Sequence, residues 1–559
     1  MSSTVDEKAQ SGAAAPLGST DSSSDSSQTH APQGDKNGEM KEKTHASLTA
    51  ENVHSPYEEV DREVDNREQA RKEGKIVLDE YNAWDDTAYA WSPGKKWWVL
   101  TVIFAVQVSM NFNTSVWPNA IMGVESKFGV SAQAARVTQM IFLVCYAFGC
   151  EAWAPFSEEF GRWPILQSSL FLVNIWQLLG VFAPNFGSLI VARGLGGLST
   201  AGGSVTLGMV ADLYDVDAQQ YAIAYVVLSS VGGTSIGPVV GAFIQNFSTY
   251  NWFFWVQLIF GGVVQIIHFF TVPETRCTVM LDKVAKKRRK AGEENVYGPN
   301  EVEGPRMTFK LFFEYFLRPF EMFVREPIVL SMSLLSGFSD ALIFTFLEAF
   351  QYVYAQWDFQ PYQIGLAYVP INLGYLLGFL IFLPIIHKHR KIRREQGGDA
   401  LLPEARLWML LFIAPLEPIG LFGFAWTSLG PPRVHWIAPM IFSVLIAIAN
   451  YAIYMATIDY MVAAYSVYSA SATGGNALAR DFLAGVSAMY AVPMYQGFGN
   501  PPYTYAWAST FLGCVGILVV IPVYILYWKG PIVRERSKFA QSLAENRKEK
   551  KGNSKREKA

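Results

Sequence analysis

The 559-residue chain is 51% hydrophobic and 14% aromatic, too long and too apolar for one ordinary soluble domain. Its formal net charge of −3 hides a partition. Residues 1–96 hold 11 Lys/Arg against 19 Asp/Glu, and the stretch from Lys529 onward holds 11 basic against 4 acidic residues. Basic residues beside a terminal apolar run match the cytoplasmic-side bias of membrane proteins, so nucleic acid is not an expected partner. Cys145, Cys150, Cys277 and Cys514 show no paired spacing, which argues against a disulfide framework or a zinc site; no metal or cofactor is expected.

Residues 1–94 are polar, Ser-rich at 19–28 and acidic later. Such a composition cannot bury enough apolar surface to offset ordering entropy, so a disordered cytosolic tail is expected, with serines open to phosphorylation or simply solvated. The first 30 residues have no apolar core, so no cleavable signal is expected and the first apolar run would direct insertion.

A membrane-spanning helix needs about 20 mostly apolar residues. Twelve such runs follow: 97–118, 134–156, 165–184, 187–210, 221–245, 252–272, 328–355, 363–387, 407–427, 434–463, 477–496 and 505–528. A basic linker, 274–327, separates the sixth from the seventh. The expected organisation is therefore a six-helix half at 95–273, the linker, a second half at 328–528 and a basic cytosolic tail at 529–559. With both termini cytosolic, Arg162, the run Lys286 to Lys290, the run His387 to Arg394 and Arg480 fall in cytosolic connections. Only Lys127, Arg136 and Arg433 fall on the other side, as the positive-inside bias requires.

Span 5 contains Ser229, Gly233, Gly237 and Gly241, spaced by four, with Pro238 inside the run. On a helix they form one side-chain-poor face, which lets two membrane helices approach backbone to backbone. Plain packing explains such a face equally well. Other short elements accompany it: Ala154 to Arg162 after span 2, Val191 to Gly197 in span 4, Val272 to Arg276 after span 6, and Ile532 to Ala540 near the end. In this order the elements resemble the major facilitator superfamily, and within it the fungal twelve-span drug:proton antiporters. They match, in turn, that family's G-x-L-[SA]-[DE]-x-x-G-R loop, R-x-x-x-G element, G-P-x-x-G antiporter motif, P-E-T and closing R-x-R-S-x-F-A. The resemblance covers about Lys95 to Ala540. It implies an all-α membrane fold of two six-helix halves, a gate loop containing Ser157, Glu158, Gly161 and Arg162, and a proton-coupling role for Arg193. The chain also departs from the pattern. Ala154 replaces a Gly, Trp163 replaces a basic residue, no Arg follows Asp212, none lies in Asn251 to Trp255, and Ala464 stands where an Asp is usual while Asp459 lies five residues earlier.

Charges inside spans are expensive and mark pathways, relays or buried pairs. The candidates for proton coupling are Arg193, Glu348, Asp340, Asp459 and Glu151, with Glu417 between two prolines. An always-charged guanidinium could hold a carboxylate ionised until proton or substrate displaces it; equally, Arg193 could clamp backbone carbonyls. Asp340 and Glu348 could border one cavity, or Asp340 could sit at a wetted helix section. Gln107, Asn111 and Thr114 share one face of span 1 and could line a wet cavity or act as interhelical glue. Tyr352, Tyr368 and Tyr375 could face flat or cationic substrates, or only pack. No G-x-x-x-x-G-K-[ST] occurs and no His, Asp or Cys cluster gathers at one membrane face, so no enzyme is expected. The expectation is a monomeric plasma-membrane exporter of small organic molecules in exchange for protons, with the vacuolar membrane as another location. Nutrient symport and a membrane sensor are the alternatives.

Overall fold

In the computed structural model the described residues are 66–67, 69–70, 72–303, 309–396, 402–465, 468–537 and 539. The Ser-rich stretch, most of the acidic tail, the basic tail beyond residue 539 and the end of the Ile532 to Ala540 element lie outside them.

The chain is built from helices: α1 (Pro93–Ser115), α2 (Ala132–Phe160), α3 (Arg162–Val181), α4 (Phe186–Thr200), α5 (Val216–Phe247), α6 (Trp252–Thr271), α7 (Pro327–Ala355), α8 (Val369–Gln396), α9 (Leu416–Thr427), α10 (Ile437–Tyr465), α11 (Ser469–Gly497) and α12 (Thr504–Arg536). Their starts follow from local chemistry. Ser92, Ser131 and Asp215 each accept a hydrogen bond from the backbone N–H three residues on, and Asn185 with Ser188 forms a reciprocal capping box. Among the described residues, ten helical stretches are long and apolar enough to cross a membrane. The two expected spans not among them have physical reasons. Run 187–210 is interrupted by a 3₁₀ turn at Ala201–Ser204, before a second helix at Val205–Leu213. Helix α11 is rich in Ala, Ser and Gly and carries Arg480 and Asp481, which lowers its apolar character.

The packing repeats with an offset of six helices. Contacts α1–α5, α2–α4, α3–α4, α3–α6 and α1–α6 recur as α7–α11, α8–α10, α9–α10, α9–α12 and α7–α12. The sets meet through α2–α11 and α5–α8, two contacts that the same offset interchanges. We call the side where α1 begins the near face and the other the far face.

Two expectations need correction. Residues 72–94, expected in the disordered tail, are folded against the linker. Strand β1 (Ile76–Val77) pairs in parallel with β2 (Val296–Tyr297), and Leu78 and Ala83 pack with Cys277, Leu281, Ala285 and Val296. Arg288 pairs with Asp86 at 2.7 Å, and Arg289 binds Glu301 and holds its carboxyl below the usual range. The linker itself is largely helical, at Cys277–Lys290 and Phe309–Arg325. Finally, α11 begins at Ser469, so Arg480 lies inside a helix and not in a connection.

Candidate functional site

The glycine face of α5 is built against α1. A Cβ on Gly233 would lie 2.8 Å from the Val108 carbonyl oxygen, and one on Gly241 would lie 2.8 Å from Asn119 Oδ1. Gly237 has Ser115 and the Val116 backbone in the same position. Ser115 also donates to the Gly233 carbonyl at 3.2 Å. The Pro238 carbonyl is turned toward Gly365, in the helix Pro361–Leu366 that precedes α8. These small residues bring α5 close to both sets of helices.

Between the sets is a cavity of about 20 Å³. Asn111 and Thr114 line it from α1, Tyr146 from α2 and Thr234 from α5, opposite Asp340, Tyr454, Arg480 and Asp481. It has room for roughly one water. Gln107 lies behind Asn111, accepting from its amide at 3.2 Å while donating to Thr206 at 2.7 Å.

The second set supplies the charge. Arg480 donates to Asp481 at 3.2 Å and stands 3.9 Å from Asp340. Its guanidinium lies over the Tyr454 ring, 4.3 Å from the centroid. The side chains of Asp340 and Arg480 stay 20% and 13% exposed, and both line the cavity. With both carboxylates ionised the trio carries one net negative charge, which one proton or one monovalent cation would neutralise. In a low-dielectric interior that imbalance has a large Coulomb consequence.

Arg193 is placed differently. It is 2% exposed, and its Cζ lies 4.1 Å from the ring centroids of both Trp117 and Phe142. Its hydrogen bonds are long: 3.5 Å to the Thr138 carbonyl and 3.5 Å to Asn113 Oδ1. Nη2 has no partner, and among the described residues no carboxylate pairs with it.

The remaining acids are distributed around this centre. Toward the far face, Glu348 pairs with Arg136 at 3.1 Å, and Arg136 also donates to the Tyr352 hydroxyl at 3.3 Å, tying α2 to α7. Gln133 donates to the Met489 carbonyl at 2.8 Å on the same side. Toward the near face, Asp459 pairs with Arg406 and accepts from Gln220 at 3.0 Å, and Arg393 donates to Gln220 at 2.8 Å. The sets therefore touch on both sides of the cavity. Glu151 is buried against Gly474 of α11, with Oε1 unpartnered. Glu417 accepts from Ser339. Tyr368 and Tyr375 are buried and do not line the cavity; the Tyr368 hydroxyl donates to the Phe346 and Leu347 carbonyls, and its ring stacks on Phe350 at 4.7 Å.

The gate-loop residues converge at the near face. Arg162 pairs with Asp212 at 3.0 Å, donates to Ser157 at 2.6 Å and reaches Glu158 at 3.7 Å. Gly161 has φ +101°, and any Cβ there would meet Glu274. The Arg missing after Asp212 has a substitute: Arg276, from the Val272 to Arg276 element, approaches Asp212 at 3.6 Å.

Sequence reasoning missed Arg136, Arg480 and Asp481. By sequence Arg480 counts with the cytosolic connections and Arg136 with the opposite side, because each lies near the polar end of an apolar run. The one available signal was that acids at 340 and 348 in an apolar helix require cations from elsewhere.

Residues 99–488 match the family model described as Major Facilitator Superfamily. The chain is 30% identical over 456 residues to the MFS-type transporter kojT of Aspergillus flavus, covering 80% of this chain and 79% of the relative. It is 28% identical to the multidrug transporter FLR1 of Candida glabrata (82% and 83% covered) and 29% identical to the cycloheximide resistance protein of Candida maltosa (78% and 80%). Among solved structures, the E. coli xylose transporter XylE in a partially occluded inward-open conformation aligns with TM-score 0.52 at 15% identity, covering 78% of this chain and 98% of XylE. That likeness concerns the fold.

Proposed function

Since the chain belongs to the major facilitator superfamily, we propose that it is a proton-coupled secondary transporter exporting small organic molecules, with cationic or flat compounds as the favoured class. Family membership makes it a multi-pass membrane transporter and not an enzyme. Export is favoured by the G-P-x-x-G face of α5 and by relatives whose names denote multidrug transport and cycloheximide resistance. We place it in the plasma membrane with both termini cytosolic, acting as a monomer, so that the near face is the cytosolic one.

The observation that carries the reading is the Asp340–Arg480–Asp481 trio at a cavity between the two sets. A proton and a cationic substrate compete for the same excess negative charge, so only one is held at a time. Competition of this kind makes the affinity for one ligand depend on the other, which exchange requires. The cavity is too small for an organic molecule, so loading requires one side to part. Glu348–Arg136 would part on the far side, and Gln220–Asp459–Arg393 on the near side, as alternating access between two repeats requires. Proton coupling is thereby assigned first to Asp340 and Asp481, with Glu348 and Asp459 as closing contacts. Arg193 acts as a fixed positive charge that sets the field of the first set, and Glu151 serves as a secondary proton site.

The test is a deletion strain challenged with a toxicant panel, with accumulation of each compound measured at two external pH values. Export predicts hypersensitivity to some compounds and higher accumulation that tracks pH in the parent strain only. Unchanged sensitivity and accumulation throughout would contradict it.

A further inference from the structure

A second recess lies away from the transport path, where α1 and α3 begin and α6 ends. It is a groove of about 670 Å³ lined by Lys95, Phe160, Trp163, Phe270, Glu274 and Lys283, among others. Three helix ends at one level put this groove at a membrane–water boundary. Its walls are aromatic and open: Phe270 is 78% and Phe160 58% exposed, and Trp163 packs on Phe269 at 5.4 Å. Its charge is basic. Lys95 Nζ sits 3.6 Å from the Trp91 ring centroid, and neither Lys95 nor Lys283 has an acidic partner among the described residues. The one acid in the lining, Glu274, is already engaged. Its Oε1 accepts from the backbone N–H groups of Arg162, Thr275 and Arg276 at 2.9 Å each, and its Oε2 accepts from that of Trp163 at 3.2 Å. The carboxylate thereby caps the start of α3 and is not paired with either ammonium group, and with its charge counted the groove keeps a net single positive charge.

We propose that this groove holds one anionic glycerophospholipid. The phosphodiester would lie between Lys95 and Lys283, and an acyl chain would run along Phe160, Trp163 and Phe270. A free phosphate would use the lysines but not the exposed aromatic walls, which belong at the headgroup and acyl boundary. On the orientation proposed above the groove faces the cytosolic leaflet, which carries the anionic lipids. Vesicles with the same lipid in both leaflets make the test independent of that orientation and of the transport reading.

The full chain is reconstituted in phosphatidylcholine vesicles containing a rising fraction of phosphatidylserine with brominated acyl chains, which quench nearby tryptophan fluorescence. The part of the quenching lost in Trp163→Phe reports the groove. That part should half-saturate at a lower mole fraction of brominated phosphatidylserine than of brominated phosphatidylcholine. Lys95→Gln and Lys283→Gln should each weaken the preference about fivefold, as expected for one lysine at an anionic surface. The charge-retaining Lys95→Arg and Lys283→Arg should keep it. Equal quenching by both lipids, unchanged preference in the Gln variants, or displacement by added inorganic phosphate would overturn the proposal.

Discussion

Arg193 and Arg480 are both buried in helices of the same membrane protein, yet their surroundings differ. Arg193 lies between Trp117 and Phe142, with long hydrogen bonds to a carbonyl and an amide oxygen and, among the described residues, no carboxylate paired with it. Arg480 lies over one ring, Tyr454, and is shared by two carboxylates. A guanidinium held by aromatic faces keeps its charge fixed and its plane oriented. A guanidinium shared by two acids can change partner when a proton or cation arrives. On the function proposed above, the difference gives intramembrane charge in this chain two uses, one static in the first set of helices and one exchangeable in the second.

That contrast can be broken most severely at Arg480. Arg480→Ala strands Asp340 and Asp481 without their cation, and removing one partner of a buried pair costs about 3–5 kcal/mol. Thermal unfolding in detergent should show that loss, with part of it recovered in Arg480→Ala/Asp340→Ala. Gly237→Leu acts on the first set by pushing α5 off Ser115 and Val116 of α1. Overpacking of this kind costs about 1–3 kcal/mol. Exchange should be abolished while insertion and span count, measured by glycosylation-tag mapping, stay intact. Glu348→Gln keeps an acceptor for Arg136 but removes its charge, a loss of about 1–3 kcal/mol in the closed far face. A cysteine near Tyr352 should then label faster from the far side, and Arg136→Gln in the same chain should add little. The smallest effect is expected at Asp459→Asn. This acid is 24% exposed and shared among several partners, so stability should change by less than about 1 kcal/mol.

Much of the fold was legible because lipid imposes a simple rule on sequence, a run of apolar residues for each crossing. Spans 4 and 11 were the weakest cases. There Gly202 and Gly203 admit a 3₁₀ break, and an Ala, Ser and Gly-rich helix carries two charges. The α1–α5 approach was readable from the spacing of Gly233, Gly237 and Gly241, since small residues four apart leave a smooth helix face. The charge pairing was not. Arg136 meets Glu348 across 212 residues of sequence, and Asp340 meets Arg480 between helices that only folding juxtaposes. A polar helix end looks like a loop when read by hydropathy, which is why Arg480 counts with a connection by sequence alone. The paired segment at 76–77 was hidden for a related reason: three apolar residues make no core until Val296 and Leu281 join them.

The central claim is that a proton and a cation compete for the Asp340–Arg480–Asp481 trio while Arg193 stays a spectator to that exchange. Proton release from purified protein in weakly buffered detergent, on adding tetraphenylphosphonium as a monovalent cationic probe, tests it directly. Wild type and Arg193→Gln should release about one proton for each probe bound, because a single excess negative charge is being neutralised. Asp340→Asn, whose remaining Arg480–Asp481 pair is already neutral, should bind the probe more weakly and with little or no release. Full release by Asp340→Asn, or loss of release confined to Arg193→Gln, would contradict the account.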